Sequence, residues 1–255
     1  SGQGGETISG NIDIISNYGK TGSGSISLST GNAPENAGNI SIATDASNSY
    51  QTGSINIING AGQGDEGGAV RVQAGSTSGT GGIGGDVEIT TGGSAKGASG
   101  SMKLGSSSTS EGSGSGDVAI QTGSTVSSGS SGSQTISTGD GTTSGGIRIE
   151  TGASSDGGAG SVVLSAGSTT GTASPGASVI VSGGASSAEG GDRLDGGSVR
   201  ISAGSTASVS SDSIGGSMVL AGGDAQAGSG GIAIMRSGSS ITGATGDVVV
   251  SSSDS

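Results

Sequence analysis

Gly197-Ser198-Val199-Arg200-Ile201-Ser202-Ala203-Gly204 decides how this chain is read. A glycine opens the stretch, aliphatics stand second and fourth after it, a small residue stands sixth and another glycine seventh. Alternate side chains of an extended backbone point to opposite sides. Val199 and Ile201 therefore share one face, and Ser198, Arg200 and Ser202 the other. The same frame, G-x-[VI]-x-[ILV]-x-x-G, can be laid from Gly10, Gly24, Gly38, Gly53, Gly68, Gly85, Gly100, Gly116, Gly132, Gly145, Gly160, Ala177, Gly197, Gly216, Gly230 and Gly246. These 16 units follow one another at steps of 13 (Gly132 to Gly145) to 20 residues (Ala177 to Gly197). A repeat that runs the length of a chain outranks its composition as a guide to architecture.

Composition alone would point elsewhere. Gly accounts for 60 of 255 residues, Pro for 2, and the aromatics are two tyrosines, Tyr18 and Tyr50. A Gly/Ser-rich, aromatic-poor chain is the usual mark of a linker or of disorder. Disorder gives no reason, however, to keep an aliphatic at one phase. The fourth position is Ile, Leu or Val in all 16 units, and Gln134 is the single polar residue at the second. The seventh position is Gly in 11 units, and Asn17 and Asp45 fill two of the others, which predicts a positive φ there. Thr, Ala or another small residue at the sixth (Thr30, Thr44, Thr91, Thr122, Thr138, Thr151, Ala74, Ala166, Ala203) fits a crowded inside corner.

In-phase strands joined by connectors of similar length predict an all-β fold. The expected form is a parallel β-solenoid, a β-helix or β-roll of about 16 short repeats with one strand per repeat. Residues 1–9 read as a lead-in and 10–255 as one continuous solenoid. One unit per coil would stack Arg71, Glu88 and Lys103 as an alternating charge ladder. Two units per coil, with aliphatic faces meeting across the core, is the alternative. Connectors such as Ser76–Thr80, Ser124–Ser127 and Ser205–Ser208 read as a second, weaker strand.

The net charge of −12 argues against nucleic acid and anionic membrane as partners. No apolar run is long enough to insert in a membrane. With neither Cys nor His, thiolate chemistry and the commonest general base and transition-metal ligand are missing. The densest acidic cluster is Glu189, Asp192 and Asp195 beside Arg193, the one place a carbohydrate-cleaving carboxylate pair could sit. It reads as a solvated loop. Asp86, Asp117 and Asp247 share one phase but not adjacent units, and the nonapeptide period of calcium-binding β-rolls is absent. Gly19-Lys20-Thr21 matches only the tail of a phosphate loop, with Ile14 where the motif needs its first glycine. The expectation is therefore a protein with no catalytic residues, no metal site and no cofactor. Asn39-Ile40-Ser41 is the one N-glycosylation sequon, but it falls inside an expected strand, which argues against its use.

Gly196–Thr206 and Gly85–Ser94 resemble the Gly/Ser-rich repeats of large proteins secreted by diatoms and other stramenopile algae. The resemblance implies an extracellular role in a wall, fibre or adhesive. The resulting expectation is a non-catalytic, extracellular rod in a cell-wall, surface or filament assembly. An ice-binding solenoid is the alternative, and a carbohydrate-binding or carbohydrate-cleaving β-helix a more remote one. Neither chain end offers a cap, so self-association or pairing with further repeats of a longer chain is expected. Its lateral contact would be the apolar outward row Val163, Ile180, Val219 and Val249. Extracellular polysaccharide is a further candidate partner.

Overall fold

A computed structural model of the chain describes residues 10–47, 51–109, 114–126, 129–170, 175–187 and 195–252. Each unit is an extended segment, and among the described residues every bend falls in a connector and none inside a frame. By proximity the chain groups into two units, Ser1–Ile120 and Gln121–Ser255.

Successive segments are tied by a recurring neck. The N–H groups of Gly85, Gly100, Ala177, Gly197, Gly216, Gly231 and Gly246 donate to the C=O groups of Gly75, Gly92, Gly167, Gly184, Gly204, Gly223 and Gly238, at 2.8–3.1 Å. Each acceptor ends one eight-residue frame and each donor opens the next. The sixth-position side chain lies over the opening glycine at the earlier junctions as well. A Cβ added to Gly38, Gly53, Gly68 or Gly132 would stand 3.1–3.7 Å from Thr30, Thr44, Asn59 or Thr122 respectively. The inside corner expected at the sixth position is thus present at these junctions, and glycine opens these units because that side chain occupies the space. At Gly53 the Thr44 hydroxyl also donates to the glycine carbonyl, at 3.3 Å.

The neck explains why the expected solenoid is absent. Among the described residues there is neither helix nor β-strand, so the chain is largely coil and is not an all-β protein, a β-helix, a β-roll or a β-solenoid. Stacking one unit per coil requires each connector to return the chain along the whole segment, about 24 Å for eight extended residues. Instead, at seven junctions the neck holds the start of one unit at hydrogen-bond distance from the end of the last. From the neck at Gly223 and Gly231 the chain doubles back, so that Val219, Leu220 and Ala221 lie beside Ala233, Ile234 and Met235. These two units therefore leave a common point and run back along one another, and among the described residues no ladder forms between units. Arg71, Glu88 and Lys103 form no ion pair. Arg148 instead pairs with Glu150, two residues along the same segment and on its same side.

No described side chain is buried. The chain exposes 25208 Å². A compact globule of 23.2 kDa would expose about 9,700 Å² and a fully extended chain about 34,000 Å². Two aliphatics per unit do not offset the cost of fixing so many glycines and serines in a packed sheet.

The structure departs from the sequence reading in three further details. The unit laid from Gly230 begins at Gly231. Gly231 donates to Gly223, and at the other end Ser237 and Gly238 form the neck with Gly246. A slip of one residue turns every side chain to the other face, and Ile232 is accordingly 83% exposed. Secondly, the positive-φ glycines are Gly81, Gly157 and Gly228, all in connectors, rather than the seventh-position glycines. At that position Asn17 and Asp45 accept the N–H of Tyr18 and Ala46 through their side-chain Oδ1, both at 2.8 Å. Thirdly, the connectors are serine and threonine turns rather than second strands. Ser94 Oγ accepts from Gly97 N at 2.9 Å, Ser240 Oγ from Gly243 N at 2.8 Å and Thr77 Oγ1 from Gly79 N at 3.3 Å.

Two outcomes are expected. Circular dichroism of the chain shows an irregular backbone, and a β-sheet minimum would overturn this architecture. Gly222→Ala breaks its neck, because the new methyl would collide with the Gly231 carbonyl oxygen, whereas Gly238→Ala meets nothing within 4 Å. The amide temperature coefficient of Gly231 should rise to the solvent-exposed range in the first variant and stay unchanged in the second.

Candidate interaction surface

The alternation read from the frame survives as graded shelter. Second-position side chains from Ile26 to Met218, and Val248, are 48–60% exposed. Fourth-position side chains from Ile14 to Leu220, and Met235 in the slipped unit, are 66–76% exposed. At odd positions, Ile15, Ile58, Ile232 and the row Val163, Ile180, Val219 and Val249 are 79–85% exposed, while Ile234, which lines a recess, is 68% exposed. The gradient follows from the neck. Even-numbered positions point to the inside of each reversal, and the second lies nearest its pinched end.

Within Gln121–Ser255 this inner face gathers into an open apolar recess. Val181, Val199, Ile201, Ile234, Met235 and Val248 line it, with Val249 also present and Arg236 and Asp247 as its charged members. A second, smaller one lies between Val219–Ala221 and Ala233–Met235. In Ser1–Ile120 a polar depression is formed by Lys103, Gly105 and Ser106–Ser108. The expected lateral row is thus divided. Val219 and Val249 belong to recesses, while Val163 and Ile180 stand on the open outer face. The frame identified the aliphatics of the larger recess but gave no signal that units opening at Ala177, Gly197, Gly231 and Gly246 would meet there.

The acidic residues are scattered differently. Glu189, Asp192 and Arg193 lie outside the described residues, and Asp195 is exposed. Asp86, Asp117 and Asp247 are exposed too, and no three metal-ligating side chains converge among the described residues. Gly19 lies in a bent connector with Lys20 and Thr21, not at the start of a helix. No helix among the described residues is long and apolar enough to cross a membrane. No protein-family model, curated protein or solved structure matches the chain.

A fluorescent dye for apolar surface distinguishes inner from outer aliphatics. Val199→Ser with Val248→Ser should lower dye binding to the monomer clearly more than Val163→Ser with Ile180→Ser. Equal losses would show that the recess is not a distinct surface.

Proposed function

We propose that this chain is a non-catalytic structural segment of an extracellular wall, surface or filament assembly, and that it acts by associating with copies of itself or with further repeats of the same kind. The observation that supports this reading is the uniform presentation of aliphatic pairs. Seven junctions are pinched at the same neck, and the second- and fourth-position aliphatics are at least 48% exposed. Apolar surface on this scale is characteristic of a chain that completes its packing with a partner. A repeating partner meets that need, since it offers the same spacing of aliphatics and small residues.

The assembly role expected from the sequence is retained here without the rigid β-solenoid rod, which the coil architecture removes. A spacer of tied, doubled-back segments extends under load by opening one neck at a time. The net charge of −12 keeps the dispersed chain soluble and makes association dependent on ionic strength.

Sedimentation velocity over a range of concentrations tests the proposal. The wild-type chain should associate reversibly, more strongly as salt screens its charge. Replacing the second- and fourth-position aliphatics Val162, Leu164, Val179 and Val181 together by Ser should weaken association at least about tenfold, equivalent to about 1.4 kcal/mol, and more than the same change at the outer row Val163, Ile180, Val219 and Val249. A strict monomer at every concentration and salt would overturn self-association.

A further inference from the structure

We infer that Asn39 is an acceptor for an N-linked glycan, projecting from the outer face of the segment that opens at Gly38. This inference rests on the extracellular reading above for its biological setting, but its chemistry stands on the site itself. Asn39-Ile40-Ser41 is the chain's one Asn-x-Ser/Thr sequence, and its middle residue is not proline. A β-strand at this place would have tied its backbone into a ladder and hidden the acceptor from a transferase. The structure has no such ladder. Residues 38–47 are extended coil, and Asn39 and Ser41 are both exposed.

Alternation then separates the two sides of the segment. Asn39 and Ser41 stand at the first and third positions and share the outer face, while Ile40, 48% exposed, lies on the inner face with Ile42. A glycan at Asn39 therefore leaves the aliphatic pair free to associate. The neck is unaffected as well. Its members at this end are Gly38 and the Thr30 side chain, and at the other Thr44 and Gly53. The co-substrate is a lipid-linked oligosaccharide diphosphate. The Asn39 side-chain amide nitrogen forms a bond to the anomeric carbon and loses a proton. The bond from that carbon to the phosphate oxygen breaks, and the lipid diphosphate leaves. No oxidant or reductant is needed.

The test is expression of the full chain behind a secretory leader in a eukaryotic host, followed by intact-mass and peptide analysis. The wild-type chain should carry a glycan that a glycan-releasing amidase removes, converting the acceptor asparagine to aspartate. Asn39→Gln and Ser41→Ala should each lose it, and Ser41→Thr should keep it, because a threonine hydroxyl serves equally in the sequon. A wild-type chain secreted without a glycan would overturn the assignment, as would a glycan that persists in Asn39→Gln. If the leader-directed chain is modified while the native protein stays inside its cell, the acceptor assignment is supported and the extracellular reading is the one that fails.

Discussion

The hydrogen bond from the N–H that opens one unit to the carbonyl that closes the previous one controls this molecule. It spans as few as 8 residues (Gly92 to Gly100) and as many as 13 (Gly184 to Gly197) at nearly constant length. Connector length is thus free to vary, because the bond fixes only the two ends. Closing a somewhat longer flexible loop costs little more than closing a short one. The long connectors therefore carry serine and glycine without disturbing the frame on either side. Exchange of side chains at the neck follows one rule. Where the sixth residue bears a side chain, as at Thr30 or Ala203, it rests against the bare glycine that opens the next unit, with Ala177 the one opener that carries a methyl. Where the sixth residue is itself glycine, as at Gly183 and Gly222, the opposing carbonyl moves into the space instead.

Much of this was legible in the sequence. The eight-residue frame, the alternation of inner and outer faces and the corner at the sixth position all survive as geometry, because each depends only on local backbone and on the contact of one side chain with one glycine. The solenoid was not legible, because it depends on contacts between units. Sixteen in-phase aliphatic pairs are compatible with strands stacked in one direction and also with segments doubled back from a neck. What separates them is where the connector delivers the chain, and connectors rich in Ser and Gly do not encode that. The glycine at the seventh position was misread for a related reason. Its recurrence suggested a left-handed backbone, but that conformation is confined to connector glycines such as Gly81 and Gly157.

The slip at Gly231 shows how weakly register is specified when two glycines stand together. By sequence Gly230 opens the frame, with Ile232 and Ile234 at its second and fourth positions, while Gly231 would place Ala233 and Met235 there. The neck prefers the second, because Gly231 reaches Gly223 while Gly238, seven residues on, reaches Gly246. Two backbone hydrogen bonds outweigh the shelter of one isoleucine that no core would have enclosed. The candidate surface inherits this choice, since it brings Met235 and Arg236 to the recess beside Val248.

The absence of a buried core and the presence of regular aliphatic pairs are two consequences of the same composition. Glycine at the opening of a unit permits the close approach that makes the neck, and glycine throughout the chain raises the entropy that a packed sheet must overcome. A single chain therefore stabilises its reversals locally and leaves its apolar side chains facing water. In the assembly proposed above, a second repeat array would meet those side chains without having to order its own necks again, since they are already formed. Association then orders only what lies between the necks, and each added pair of units adds an aliphatic contact. In such a chain the local hydrogen bond fixes the reversals, and the hydrophobic effect is left for the proposed assembly.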